Sequence, residues 1–281
     1  MRLPSTVRAS ALLLATGLTL ISDLRAQGQV GPAPPPKKEI VSFESVERKM
    51  RDGIVMTADH YTVELYDEAT EAEEVRRSWG IVIALHDARS SRGEFRQIGH
   101  RLNQLGLDVL AVDLRSGAKR GTVENGTYKS YWESVGGRGK RPHPKEAYDD
   151  VVFAMEWVRQ LHPTGPLIVF GSGSSADLAL VYASREEDTI DALFCFSPGE
   201  SLRGWSVQEA AGKLRVPIYA TCGPGKTELT RARTAIALVD KAYLTSNFGD
   251  RCMRGVQALL RCGGGHWPKI REMLEELRNA D

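Results

Sequence analysis

Cysteine is scarce in this sequence: there are four in 281 residues, and no two form a Cys-x-x-Cys pair. This argues against a disulfide-built scaffold, a zinc ribbon and a thioredoxin-type redox site. An excess of one charge is missing too, because 37 basic residues are matched by 36 acidic ones. Proteins held on nucleic acid by bulk charge carry a marked basic excess, so we predict no nucleic-acid partner.

A hydrophobic run long enough to cross a membrane is also missing. The apolar stretch from Ala11 to Ile21 falls well short of the roughly 20 residues that a spanning helix needs. Arg2 and Arg8 precede this stretch, and residues 24–26 (LRA) end in a small side chain. The pattern predicts a signal peptide over residues 1–26, a secreted or periplasmic protein, and no stable membrane span after cleavage. The alternative interpretation is a membrane anchor.

The mature chain is predicted to begin with a short tether. Residues 27–38 (QGQVGPAPPPKK) are rich in proline and glycine, and three successive prolines fit neither a helix nor the centre of a sheet. We therefore expect a linker over residues 27–38 and one domain over residues 39–281. In an exported protein Cys252 and Cys262 could pair, although the apolar stretch between them predicts a strand that would hold them apart.

Short apolar strands alternate with amphipathic helices along this domain, after an antiparallel opening pair at 42–49 and 53–64. This alternation predicts a mostly parallel sheet with helices on both faces. The later strands are expected at 80–85, 107–112, 167–170, 192–196, 216–221 and 256–260, and the helices at 94–105, 146–161, 174–183, 229–243 and 269–278. Ligands bind at the carboxyl ends of such strands, so the loops there are the candidate sites. Residues 114–145 form the longest irregular stretch, either a lid or an ordinary surface loop.

The segment Val169–Ala176 (VFGSGSSA) leads from a strand into a helix through a tight turn. One interpretation is a dinucleotide site, since residues 171–176 match Gly-x-Gly-x-x-Ala. That motif normally follows the first strand of a sheet, whereas this one follows the fifth. The other interpretation is a nucleophile elbow, in which a serine occupies a strained turn between small neighbours.

With this segment, the sequence resembles the α/β-hydrolase family, in its exported dienelactone-hydrolase-like or esterase-like branch. The resemblance covers nearly the whole mature chain, and it implies an α/β-hydrolase fold. Four further segments carry it: His86–Gly93 (HDARSSRG), Val112–Gly117 (VDLRSG), Phe196–Glu200 (FSPGE) and Gly263–His266 (GGGH).

The alignment with the family places Gly173, and not a serine, at the apex of the elbow. A glycine keeps the turn but removes the nucleophile. A shift of one residue would bring Ser174 to the apex, while Ser172 follows the strand alternation and should point away from the pocket. The resemblance implies oxyanion donors at the backbone of Ala88 and, with Ser174 as nucleophile, of Ser175.

The remaining catalytic groups are implied by the family's chain order of nucleophile, acid and histidine. His266, on a glycine-rich loop after the last strand, would be the general base, and Glu228 would orient it, with Glu200 as the fallback. Asp87 opposes this scheme, because a carboxylate beside a forming oxyanion repels it unless Arg89 pairs with it. His86 is more simply a structural histidine that holds a loop.

Two functions therefore remain open. The first is an exported serine hydrolase of carboxylic esters or related acyl substrates, with a small-molecule ester or acyl substrate as its partner. The second is a catalytically degenerate relative that binds a small molecule or a protein. We predict neither a cofactor nor a metal, since His-Glu-x-x-His, EF-hand and P-loop motifs do not occur.

Overall fold

The structure of the protein is a computed structural model that describes residues 43–63, 78–186, 189–248, 253–261 and 263–280. The predicted signal peptide, the linker and the predicted start of the domain at residue 39 lie outside these residues. Cys252 and Cys262 lie outside them as well, so their pairing stays a prediction. None of the helices in the described ranges has the length and apolar character that a membrane span requires.

Within the described ranges, eight strands form one sheet. The strands are β1 (Glu44–Lys49), β2 (Val55–Tyr61), β3 (Gly80–Leu85), β4 (Leu107–Val112), β5 (Leu167–Ser172), β6 (Ala192–Phe196), β7 (Ile218–Cys222) and β8 (Leu244–Phe248). Their order across the sheet is β1-β2-β4-β3-β5-β6-β7-β8. The pairs β1–β2 and β2–β4 are antiparallel and all other pairs are parallel.

Helices cover both faces of this sheet. They are α1 (Arg96–Asn103), α2 (Gly126–Ser134), α3 (Tyr148–Leu161), α4 (Ser174–Ala183), α5 (Val207–Ala211), α6 (Lys226–Ala235), α7 (Ala258–Arg261) and α8 (Gly263–Asn279), with 3-10 turns at Arg92–Phe95, Pro144–Ala147 and Gly255–Gln257. The sheet alternation divides the core into two layers: Val169 of β5 faces α3 and α4, and Phe170 faces α1, α7 and α8. The predicted antiparallel start, mostly parallel sheet and two helical layers are confirmed.

The prediction was wrong at the end of the sheet. Residues 256–260, expected to be the last strand, form the turn Gly255–Gln257 and helix α7. A short apolar run suits a buried helix as well as a strand, and here Val256 and Leu259 share one buried helical face. Within the described ranges, the last strand is β8, which lies at the edge of the sheet beside β7. Its sequence, LTSNF, contains no apolar run that would predict a strand, and it begins directly after the helix expected over residues 229–243.

The long stretch over residues 114–145 is more regular than the sequence suggested. It contains α2, which begins where the Asn125 side chain accepts a hydrogen bond from Tyr128 N at 2.7 Å. Asn125 also lies in an Asn-x-Thr glycosylation pattern, but its amide is buried and donates to the carbonyls of Ser90 and Leu114. The folded protein therefore does not present this amide to solvent.

Candidate functional site

The turn between β5 and α4 has the backbone of a nucleophile elbow. Gly173 has φ +57° and ψ −122°, and its N–H donates to Phe196 O across the sheet at 2.8 Å. The turn is tight, because a Cβ on Gly171 would lie 2.6 Å from the Cα of Ala176. At Gly173 itself, such a conformation is strained for any residue with a side chain.

The carboxylate of Asp87 lies where a side chain at position 173 would project. A Cβ built on Gly173 would approach Asp87 Oδ1 to 2.1 Å. This same oxygen accepts hydrogen bonds from Ala88 N at 2.8 Å and from Ser174 N at 2.9 Å. Two convergent backbone donors of this kind are what an oxyanion hole supplies. In this protein they hold a carboxylate oxygen of the chain itself.

Arg254, which the sequence analysis did not single out, is the cation beside this carboxylate. Its Nη2 lies 3.4 Å from Asp87 Oδ2, with 61% of the Arg254 side chain exposed. The sequence had suggested Arg89 for this partner because it is two residues from Asp87. Arg89 is exposed and has the positive φ of +63°, and its N–H donates to Ser116 O at 3.2 Å. The pairing with Arg254 joins residues 167 positions apart, which no local pattern indicates.

The hydroxyl of Ser174 is part of the same cluster. It accepts from Ala88 N at 3.1 Å and donates to Asp87 Oδ1 at 3.2 Å. The structure thus brings together Ser174 and Ala88, two of the residues predicted for the site. The neighbouring Ser175 is buried, and its hydroxyl donates to the carbonyl of His86.

Ser172 lies on the opposite side of the turn, inside the protein. Its hydroxyl is fully buried and accepts from Val256 N at 3.1 Å. Gly255 has a positive φ of +65°, and a Cβ there would lie 2.5 Å from Ser172 Oγ. Ser172 therefore anchors the turn Gly255–Gln257 on the face of the sheet away from the cleft.

His266 is carried into the core by helix α8, whereas the sequence placed it on a loop. The apolar residues Trp267, Ile270 and Leu274 recur at helical spacing, and their burial draws the helix onto the sheet. His266 is fully buried, and its Nδ1 lies 2.7 Å from the hydroxyl of Tyr219.

The strand register shows where this imidazole lies relative to the elbow. Tyr219 is the second residue of β7, and it lies level with Phe194, which in turn lies level with Phe170. Phe170 precedes Gly173 by three residues, which is roughly 10 Å along a strand. His266 thus contacts the middle of the sheet face, whereas Ser174 lies at the carboxyl edge of the sheet.

Glu228 lies in the first turn of α6, and its Oε1 is used locally. It accepts from Gly223 N at 3.0 Å and from the hydroxyl of Ser197 at 2.5 Å. Ser197 has the positive φ of +59° and accepts from Gly255 N at 2.7 Å. This chain of hydrogen bonds ties the ends of β6 and β7 to the turn before α7. The fallback acid, Glu200, accepts from two backbone N–H groups at the start of α5, those of Val207 and Gln208.

His86 holds a loop. A backbone N–H can only donate, so the hydrogen bond from Leu114 N to His86 Nε2 at 2.9 Å requires that nitrogen to be unprotonated. In the neutral ring, Nδ1 then carries the proton and donates to Asp87 O at 2.7 Å. His86 therefore fixes the backbone of the residue whose carboxylate lies between Ala88 N and Ser174 N.

A cleft opens over these groups at the carboxyl ends of β5, β6 and β7, with a volume of about 530 Å³. Beneath it, Asp177 is buried and accepts from Gly199 N at 2.6 Å and from Ser201 Oγ at 2.6 Å. Burial raises the pKa of Asp177 to about 7. The lining residues are Gly173, Ser174, Asp177, Ser197–Ser201, Gly225–Glu228, Arg231 and Arg254.

This arrangement suits the binding of a small polar molecule. A volume of this size is typical of small-molecule sites.

Within the described ranges, no group of three His, Cys, Asp or Glu side chains is placed to hold a metal ion. A dinucleotide at the 171–176 turn would bring its pyrophosphate against the Asp87 carboxylate, which repels it.

Comparison with protein families identifies the chain. A family model described as "Serine aminopeptidase, S33" matches residues 76–246, which is more than half of the sequence. The protein belongs to this family of α/β-hydrolases. No curated protein is significantly similar to the chain in sequence.

Solved structures of esterases and dienelactone hydrolases share the fold. An esterase of Pyrococcus furiosus superposes with a TM-score of 0.60 at 15% identity, over 85% of this chain and 94% of its own. A carboxyl esterase of Bacillus coagulans, solved with glycerol, gives 0.61 at 13%, over 85% and 100%. A dienelactone hydrolase of Anabaena variabilis gives 0.58 at 16%, over 84% and 96%. At these identities the likeness shows the α/β-hydrolase fold alone.

Proposed function

We propose that this α/β-hydrolase-fold protein is catalytically degenerate and binds a small polar molecule in the cleft over Gly173 without hydrolysing it. The observation that carries the proposal is the position of Asp87 Oδ1, 2.8 Å from Ala88 N and 2.9 Å from Ser174 N. Acyl transfer needs these donors free for the oxygen that becomes negative in the transition state. A carboxylate in their place blocks that oxygen sterically and repels its charge.

The nucleophile position supports the same proposal. Gly173 has the elbow conformation but no side chain, and the Ser174 hydroxyl donates a hydrogen bond to Asp87. His266, the predicted base, contacts Tyr219 in the core, and Glu228, the predicted acid, contacts Ser197. A nucleophile normally lies within hydrogen-bond reach of a base that a third group orients.

A second candidate is hydrolysis of carboxylic esters or related acyl substrates by Ser174. One observation favours it: Ser174 Oγ lies 3.2 Å from Asp87 Oδ1, so this carboxylate could accept the hydroxyl proton during attack. In that scheme Asp87 replaces the histidine as base. The oxyanion would still have to share Ala88 N, one of its two predicted donors, with the same carboxylate.

Active-site labelling separates the two candidates. We expect no labelling of the wild-type protein by a fluorophosphonate probe, and turnover of p-nitrophenyl acetate equal to that of buffer. Ser174→Ala should be indistinguishable from wild type in both measurements, since the hydroxyl performs no chemistry. Labelling that Ser174→Ala and Asp87→Asn each abolish would establish the hydrolase and end the proposal of degeneracy.

Binding is tested with a set of small polar fragments and amide chemical shifts. Fragments that bind the cleft should shift the amides of Ser201, Lys226 and Thr227, which line it. If the fragments shift other amides, or none, the protein does not bind them in this cleft, and the binding part of the proposal is wrong.

We also propose that the protein is exported, on the strength of the charged and apolar pattern over residues 1–26. Amino-terminal sequencing of the protein from its native source should begin near residue 27.

A further inference from the structure

A second cleft lies between helices α1, α7 and α8, and it shares no lining residue with the cleft over Gly173. Its volume is about 580 Å³, within the range of small-molecule sites. The lining residues are Arg101, Gln104, Leu105, Leu260, Arg261, Trp267, Pro268 and Arg271. We call it the arginine cleft.

The charge in the arginine cleft is of one sign. Arg101 comes from α1, Arg261 from α7 and Arg271 from α8, and no carboxylate lines the cleft. This is a local concentration, because the chain as a whole is almost neutral. Within the part of the chain that the structure describes, neither Arg261 nor Arg271 makes an ion pair. Two exposed guanidinium groups are therefore available to an anion.

Arg101 is already oriented by its surroundings. Its Nη1 donates to Leu259 O at 3.4 Å, and its guanidinium carbon lies 5.6 Å from the centre of the Trp267 ring. The indole is fixed in turn, since Trp267 Nε1 donates to the same carbonyl at 3.1 Å. A guanidinium held in this way loses little freedom when it binds a ligand.

We propose that the arginine cleft binds a phosphate group, borne by a soluble phosphate ester or by a lipid headgroup. Guanidinium groups match phosphate oxygens in paired hydrogen bonds. Three of them suit a doubly charged phosphate monoester better than a carboxylate, which carries a single charge. The apolar side chains of Leu105, Leu260 and Pro268 line the rest of the cleft and would contact the body of the ligand. The inference is independent of any hydrolysis at Ser174.

Tryptophan fluorescence and calorimetry test this proposal on the purified protein, with inorganic phosphate as the soluble probe. Binding beside Arg101 should change the fluorescence of Trp267 and saturate, and Trp267→Phe should remove that change while calorimetry still detects heat. Chloride at equal ionic strength should give neither signal. Vesicles of phosphatidylcholine with phosphatidic acid, against phosphatidylcholine alone, distinguish a lipid source from a soluble one.

Charge-removing variants locate the site. We expect Arg261→Gln and Arg271→Gln each to weaken phosphate affinity about tenfold, since each removes one charge-assisted contact. The matched control is Arg278→Gln on the same helix, exposed and outside the cleft, which should leave the affinity unchanged. Absence of saturable binding to both phosphate and phosphatidic acid would overturn the proposal. So would an equal loss in all three variants, because that indicates only general attraction.

Discussion

The turn between β5 and α4 and the segment after β7 differ in how far they match the serine-hydrolase site that the sequence predicted. At the turn the backbone has the predicted form: Gly173 adopts the elbow conformation, and Ala88 N and Ser174 N converge. What differs at the turn is the group that accepts from these two donors, which is the carboxylate of Asp87. After β7 the architecture itself differs, since His266 lies in a helix against Tyr219 and not on a loop.

Under the proposed degeneracy, the comparison teaches that a backbone site can persist after its chemistry is lost. The elbow and its two donors are held by the sheet register and by the neutral ring of His86, neither of which requires a nucleophile. The position of His266, the predicted base, depends instead on helix α8, which the buried side chains of Trp267, Ile270 and Leu274 hold against the sheet. The predictions below test this contrast, from the largest expected effect to the smallest.

Placing a serine at the apex should be the most disruptive change. Gly173→Ser forces a Cβ to within 2.1 Å of Asp87 Oδ1 at a positive φ, so we expect a loss of about 3–5 kcal/mol in the free energy of unfolding. Gly121→Ser is the matched control, with φ +59° and nothing within 4 Å of the added Cβ, and should cost about 1 kcal/mol. Urea unfolding measures both. If Asp87→Gly does not relieve the loss at Gly173→Ser, the carboxylate is not what fills this space.

The carboxylate beneath the cleft should make stability depend on pH. Burial raises the pKa of Asp177 to about 7, so between roughly pH 4 and pH 7 the folded protein holds a proton that the unfolded chain has released. Stability from this group therefore falls as pH rises through that window, by about 2–4 kcal/mol.

Urea unfolding across that window measures this contribution. Asp177→Asn should remove this part of the slope, whereas Asp149→Asn, an exposed aspartate on the adjacent helix α3, should leave it in place. Equal slopes in wild type and Asp177→Asn would contradict the assignment.

The contact between Tyr219 and His266 should be structural. Tyr219→Phe leaves a buried ring nitrogen with one hydrogen bond fewer, and we expect it to lower the free energy of unfolding by about 1–2 kcal/mol. Tyr243→Phe, at a half-exposed tyrosine, is the control and should have little effect. Neither variant should change reaction with a fluorophosphonate. An effect of Tyr219→Phe on that reaction, without a change in stability, would indicate that His266 acts in catalysis.

The smallest effect is expected at the ion pair of Arg254 with Asp87. The Arg254 side chain is 61% exposed and the two charged atoms are 3.4 Å apart, so Arg254→Gln should cost no more than about 0.5 kcal/mol. That small loss should disappear in 1 M salt, which screens exposed charges. A loss of several kcal/mol would mean that Arg254, and not the two backbone donors, holds Asp87 in place.

Much of the framework could be read from local sequence patterns. Strands β3, β4 and β6 and helix α4 begin and end where the sequence predicts, because each is a compact apolar run between turn residues. The edge strand β8 could not be found this way, since a partly buried strand at the edge of a sheet needs no continuous apolar run. Helix α7 could not be distinguished from a strand, because such a short apolar run fits the periodicity of a helix and that of a strand equally well.

The candidate site, too, could be predicted from the sequence only in part. The serine and glycine positions around Gly173 follow from the strand-to-helix turn, so the sequence locates the elbow and Ser174, and the family resemblance adds Ala88. The partners of those residues were not predictable from spacing. Asp87 meets Ser174 across 87 positions, and Glu228 meets Ser197 across 31.

The sequence by itself determined the alternation of strands and helices and the glycine at the apex, because these depend on hydrophobic spacing and on backbone freedom within a few residues. Only the tertiary structure decided what fills the apex and where His266 lies. Those outcomes depend on which distant groups packing brings together. The carboxylate of Asp87 accepts hydrogen bonds from Ala88 N and Ser174 N because the fold places both donors beside it. The imidazole of His266 lies in the core because helix α8 packs there.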